Sequence, residues 1–116
     1  MAGWLEIRRG QAPVTNVNLV GTRVVIGRSP DCDVVLNNTS VSRQHAELLC
    51  DKDTWTLRDL GSRNGTGVNG VRVAGDRALH SGDVLRIDEF DLVFHAGPVP
   101  SRPVARPRTS VTDGPF

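Results

Sequence analysis

The chain has 116 residues, 38% hydrophobic and 23% charged, with a net charge of +1, which suits one soluble globular domain and gives no bulk attraction to nucleic acid. Aromatic residues make up only 4%, too few to build stacking platforms for single-stranded nucleic acid. No apolar run approaches the ~18 to 20 residues of a membrane span, and the two cysteines, Cys32 and Cys50, show neither zinc-ligand spacing nor disulfide density.

Alternation with a period of two dominates the chain and predicts strands. At the N-terminus, WLEIR (4–8) places Leu5 and Ile7 on one face. RVVI (23–26) and VVL (34–36) are short runs rich in β-branched residues, and 45–50 continues the pattern. TWTLR (54–58) alternates with Trp55 and Leu57 inward. VRV (71–73), VLRI (84–87) and FDLVF (90–94) complete the set, with Phe90, Leu92 and Phe94 as core positions. Proline, glycine, asparagine and aspartate punctuate the gaps. No segment holds an amphipathic helical period over three turns, so the expected class is an all-β sandwich or barrel.

The composition shifts after Ala96. Residues 97–116 are rich in proline, serine and arginine and poor in large apolar residues. Such a segment cannot bury enough surface to offset its ordering entropy, which predicts a disordered tail or linker beside a domain at 1–96. The first residues, MAGWLEIRRG, carry no long apolar core and no cleavage pattern, so a cytoplasmic setting is expected.

Three polar clusters fall between predicted strands. Gly27-Arg28-Ser29 follows the 24–26 run, and Ser42-Arg43-Gln44-His45 precedes the next strand. GSRNGTGVNG (61–70) holds four glycines, two asparagines and Arg63, more backbone freedom than a hairpin turn needs. Loops gather at the ends of a sandwich, so these clusters can converge. Their chemistry suits an anion. Arg28, Arg43 and Arg63 supply guanidinium donors, Ser42 a hydroxyl and Asn64 an amide. The set contains no acid/base pair and implies no cofactor and no metal.

Gly27-Arg28, Ser42-x-x-His45, Asn64-Gly65-Thr66 and Asn69-Gly70, in this order between strands, resemble the forkhead-associated (FHA) domain over roughly residues 4–95. Asp33-Val34-Val35-Leu36, Val41 and Asp59-Leu60 fit the same pattern. The resemblance implies a sandwich of about eleven strands that binds phosphothreonine peptides at one end, as a protein–protein interaction module in Ser/Thr kinase signalling. It assigns Arg28 and Ser42 to the phosphate, Arg43 to the phosphate or adjoining peptide, Arg63 to the binding loop and Asn64 to the ligand backbone. Gly27, His45, Gly65, Thr66, Asn69 and Gly70 hold the loops. The implied partner is a phosphothreonine protein, a Ser/Thr kinase or its substrate, with no nucleic acid and no membrane.

Other functions weigh less. Ser42 and His45 suggest a small hydrolase, but no third acid accompanies them and no GxSxG or P-loop occurs. Cys32 lies between Asp31 and Asp33, where a thiolate is disfavoured. A phosphate-independent scaffold or dimerisation domain is the nearer alternative. The tail adds a regulatory option: phosphorylated Thr109 or Thr112 returning to the domain's own loops.

Overall fold

The computed structural model describes residues 3–97. The tail expectation, with Thr109 and Thr112, lies outside these residues. The described chain is all strand: β1 (Gly3–Arg9), β2 (Thr15–Leu19), β3 (Arg23–Gly27), β4 (Val34–Val35), β5 (Ala46–Asp51), β6 (Thr54–Asp59), β7 (Gly67–Val68), β8 (Val71–Arg72), β9 (Asp76–Ala78), β10 (Val84–Ile87) and β11 (Phe90–Ala96). The sandwich expectation holds. One sheet runs β2-β1-β11-β10-β7-β8 and the other β4-β3-β5-β6-β9. Every pair is antiparallel except β3–β4, which is parallel.

The strands form where alternation lets one face leave water. In β6 the buried residues are Trp55 and Leu57, with Arg58 exposed. In β11, Phe90, Leu92 and Phe94 point inward, each 6% exposed or less. Leu5, Ile26, Leu48, Leu57 and Leu85 fill the space between the sheets. Each such side chain removed from water contributes roughly 1.5 to 3 kcal/mol, so this core dominates the stability and holds the loops in place.

Three strands escape the alternation pattern. β7 and β9 have two and three residues, too short to show a period. β2 is TNVNL, mostly exposed, with only Leu19 buried. It is an edge strand held by main-chain pairing to β1, and that pairing leaves no hydrophobic signature.

The β3–β4 pair matters for the site. Its registers are Ile26 with Val34 and Gly27 with Val35. A parallel neighbour needs a crossover rather than a tight turn, so the chain between Gly27 and Val34 arches over the end of the sandwich. Asp33 closes the arch by accepting the Val25 N–H on its Oδ2 (2.8 Å).

Candidate functional site

Gly27 brings the first two loops together. A Cβ on Gly27 would stand 2.1 Å from the Arg43 carbonyl oxygen and 3.0 Å from Cys32 Sγ. Only a hydrogen fits there. The contact lets two main-chain bonds form across the loops: Arg28 N–H to the Ser42 carbonyl (3.0 Å) and Ser29 N–H to the Arg43 carbonyl (3.1 Å). The thiol of Cys32 donates to the same Arg43 carbonyl (3.1 Å). Burial pushes that thiol above its usual range, and Asp33 and Asp31 add to the effect.

Arg28 is half-buried, and its Nε donates to the Val41 carbonyl (3.0 Å). That bond sets the guanidinium plane and leaves the terminal nitrogens for another acceptor. Arg43, Arg63 and Asn64 are exposed nearby, and Ser42 is half-buried.

His45 joins the second loop to the third from within the core, at 0% exposure. The Ser42 backbone N–H donates to Nδ1 (3.1 Å), and Nε2 lies 2.8 Å from the Gly65 carbonyl. Because Nδ1 faces a donor, it accepts, and the ring proton sits on Nε2. Both ring nitrogens are thereby committed to the main chain, and neither meets the Ser42 hydroxyl. Two further bonds complete the junction. Arg63 N–H donates to Ser42 Oγ (3.1 Å), and Asn64 Nδ2 donates to the Ser40 carbonyl (2.7 Å). Arg28, Ser42, Arg43, Arg63 and Asn64 therefore lie on one connected surface.

The third loop owes its shape to Asp59 at the end of β6. Its Oδ2 accepts the N–H groups of Gly61 and Ser62, both at 3.0 Å. Its Oδ1 accepts the hydroxyls of Ser62 and, at 2.7 Å, of buried Thr66. Burial alone would raise this carboxyl; the hydroxyl and backbone donors outweigh it and hold the group below its ordinary value. Gly65 adopts φ +82, which turns its carbonyl to His45.

Asn69 and Gly70 make the β7–β8 hairpin turn, away from this junction. Asn69 Nδ2 donates to Asp83 Oδ1 (2.9 Å), and its Oδ1 accepts the Val84 N–H (2.9 Å). It ties the hairpin to β10 rather than presenting itself to a ligand.

The charges are sorted. Arg8, Arg9, Arg23, Arg58 and Arg86 each pair with a carboxylate. Among the described residues Arg28, Arg43, Arg63, Arg72 and Arg77 do not, and the first three sit on the loops that meet at this junction. A cluster of unneutralised guanidiniums raises the local potential and favours a multiply charged anion.

A profile of the FHA domain matches residues 24–88, more than half of the chain. The chain belongs to the FHA domain family. This FHA domain is 37% identical over 97 residues to an oxoglutarate dehydrogenase inhibitor of Corynebacterium diphtheriae, across 84% of this chain and 67% of that protein. It is also 37% identical over 94 residues to the glycogen accumulation regulator GarA of Mycobacterium tuberculosis, across 81% of this chain and 57% of that protein. The chain thus spans between 57% and 67% of the length of these two relatives. A solved structure from work on phosphothreonine-dependent FHA domain interactions superposes with a TM-score of 0.76 at 31% identity, covering 85% of this chain and all of that chain.

Proposed function

We propose that this FHA domain is a phosphothreonine-dependent protein–protein interaction module, an adaptor whose ligand is a phosphorylated threonine segment of a Ser/Thr kinase or a kinase substrate. The observation that carries the reading is the meeting of the loops that bear Arg28, Arg43 and Arg63, none of which pairs with a carboxylate among the described residues, around Ser42 and Asn64. Phosphothreonine brings about −1.5 to −2 charge and three acceptor oxygens. Guanidinium forks match such an anion, and an aspartate offers about half the charge in a planar group. In this reading the terminal nitrogens of Arg28 and the hydroxyl of Ser42 take the phosphate, Arg43 and Arg63 add to the field, and Asn64 aligns the peptide backbone.

The family membership and the kinship to a structure studied for phosphothreonine-dependent interactions support this reading. So do the regulatory roles in the relatives' names, an inhibitor and a regulator. A catalytic role finds no support at Ser42 and His45, since both nitrogens of the ring serve the backbone.

The test is fluorescence anisotropy with one labelled peptide in four forms: threonine, phosphothreonine, phosphoserine and aspartate. Binding of the phosphothreonine form, weaker binding of phosphoserine and none of the other two is expected. Equal affinity for the threonine and phosphothreonine forms would overturn the reading in favour of phosphate-independent scaffolding.

A further inference from the structure

The chain holds two Asn-Gly pairs, Asn64-Gly65 and Asn69-Gly70. In such a pair the glycine backbone nitrogen attacks the asparagine carboxamide in a slow intramolecular reaction, because no glycine Cβ obstructs the approach. The N–Cγ bond forms, the glycine nitrogen gives up its proton, and the Cγ–Nδ2 bond breaks to release ammonia. Water then opens the five-membered imide at either carbonyl and leaves aspartate or isoaspartate. Water is the only reagent consumed, and no redox change occurs. Both asparagines are exposed, so access to solvent does not separate them. Their hydrogen bonds and their charged neighbours do.

Asn69 is locked. Its Nδ2 donates to Asp83 Oδ1 (2.9 Å), its Oδ1 accepts the Val84 N–H (2.9 Å), and its own N–H donates to the Val84 carbonyl (2.8 Å). Turning its Cγ toward the Gly70 nitrogen breaks two side-chain bonds at once. The Asp83 carboxylate also opposes the negative charge that develops on the attacking nitrogen and on the tetrahedral oxygen. Asn64 has one side-chain bond, from Nδ2 to the Ser40 carbonyl (2.7 Å), and its Oδ1 accepts none among the described residues. The Gly65 N–H likewise has no acceptor among the described residues. The Arg72 guanidinium lies over Gly65, close enough that a Cβ there would stand 2.7 Å from its Nε. Arg72 pairs with no carboxylate among the described residues. A cation so placed eases the loss of the Gly65 amide proton and stabilises the oxyanion.

We propose that Asn64 is a site of spontaneous deamidation, that its conversion switches off phosphopeptide binding, and that Asn69 is protected from the same reaction. The effect on binding rests on the phosphopeptide reading above; the difference between the two asparagines does not. Conversion puts a carboxylate where Asn64 offers an amide. The new group meets the Ser40 carbonyl as acceptor against acceptor, and its negative charge repels the phosphate. In the isoaspartate form the main chain gains one atom just before Gly65, whose carbonyl is held by His45. A bound phosphopeptide occupies the Asn64 amide, keeps it from Gly65 and slows the reaction. Asn64 is thus a one-way clock on the binding-competent life of the domain, running fastest when no ligand is bound.

The test incubates the full chain at mildly alkaline pH, folded in buffer and unfolded in urea. Ion-exchange chromatography separates the more acidic products, and peptide mapping by mass spectrometry assigns the converted residue. In urea the two asparagines are expected to react at comparable rates. In the folded chain Asn64 is expected to react about fivefold or more faster than Asn69, the value of one additional hydrogen bond. Arg72→Gln slows Asn64 by about two- to fivefold and leaves Asn69 unchanged. A saturating amount of the labelled phosphothreonine peptide used above also slows Asn64. By anisotropy the purified converted form binds that peptide at least about tenfold more weakly than fresh protein, and Asn64→Asp reproduces the loss. Equal rates at the two asparagines in the folded chain would overturn the proposal, as would full affinity in the purified converted form. If fresh protein binds no phosphothreonine peptide, the phosphopeptide reading itself fails and the switch falls with it, whatever the two rates.

Discussion

His45 and Gly65 are joined across two loops by one bond, Nε2 to carbonyl at 2.8 Å, in a position closed to solvent. The other ring nitrogen takes the Ser42 backbone N–H. A single buried ring therefore sets the distance between Ser42 and the Asn64-Gly65 turn. Its replacement by alanine leaves two backbone groups without partners and a cavity behind them. His45→Ala is expected to lose about 2 to 4 kcal/mol of stability and to weaken phosphopeptide binding without removing any group proposed to touch the ligand. Urea denaturation and peptide titration check both effects; wild-type values in the two would show that the loops hold their spacing unaided.

Gly27→Ala strikes the same junction from the other side. The new methyl meets the Arg43 main chain, 2.1 Å from its oxygen and 2.8 Å from its carbonyl carbon. Backbone cannot swing aside as a side chain tip can. The expected cost is at least about 2 kcal/mol, with loss of the Ser29–Arg43 bond. Denaturation midpoints measure the first, and amide hydrogen exchange at Ser29 measures the second.

Arg28→Ala removes the guanidinium that Val41 holds in place. A hydrogen bond to a charged group is worth roughly 1.5 to 3 kcal/mol, so the affinity for a phosphothreonine peptide is expected to fall by at least about tenfold. Arg58→Ala, which removes a cation already paired with Asp76, leaves the affinity unchanged. Wild-type binding also weakens below about pH 6 as the phosphate dianion takes up a proton and loses its second negative charge. Comparable losses in the two variants would contradict the division between paired and unpaired arginines.

Asp59 predicts an acid-dependent loss of stability. Burial opposes its charge, but the donors from Ser62, Thr66 and Gly61 prevail, and the folded carboxyl sits below its unfolded value. A depressed carboxyl stabilises the fold above the unfolded pKa of about 3.9. That contribution disappears as pH falls through the lower, folded value. Asp59→Asn replaces an acceptor of the backbone N–H groups with an amide and is less stable at neutral pH. Its melting temperature is expected to change less than that of the wild type between about pH 5 and pH 2. Parallel melting curves across that range would remove Asp59 from the account.

Cys32 is 9% exposed, and its thiol is raised by burial and by the neighbouring aspartates. Iodoacetamide at pH 8 is expected to leave it unmodified in the folded domain and to label it on unfolding, whereas half-buried Cys50 reacts first. Mass mapping of the alkylated peptides decides the order. Rapid native labelling of Cys32 would show that the 28–33 arch opens.

Much of the sandwich was legible in the alternation. Trp55, Leu57, Phe90, Leu92 and Phe94 are expected inward and are buried, and of Leu5 and Ile7, expected on one face, the first is buried and the second half-buried. Strands β2, β7 and β9 were not, because an exposed edge strand and two- or three-residue strands draw on main-chain pairing, which any residue type can make. The clusters around Arg28, Ser42 and Asn64 were legible as polar insertions between strands. Their residue types suited an anion, and their order matched a family.

By itself the sequence determined the fold class, through period-two burial, and the chemistry available to the loops, through residue type. Tertiary structure decided which of those loops meet and which arginines are neutralised. Burial is a local property, written in each residue's transfer energy and repeated along a strand. Pairing joins residues 20 or more positions apart, such as His45 and Gly65, or Arg23 and Glu47; which partners meet is set by register and crossover geometry, for which no single stretch of residues carries a code.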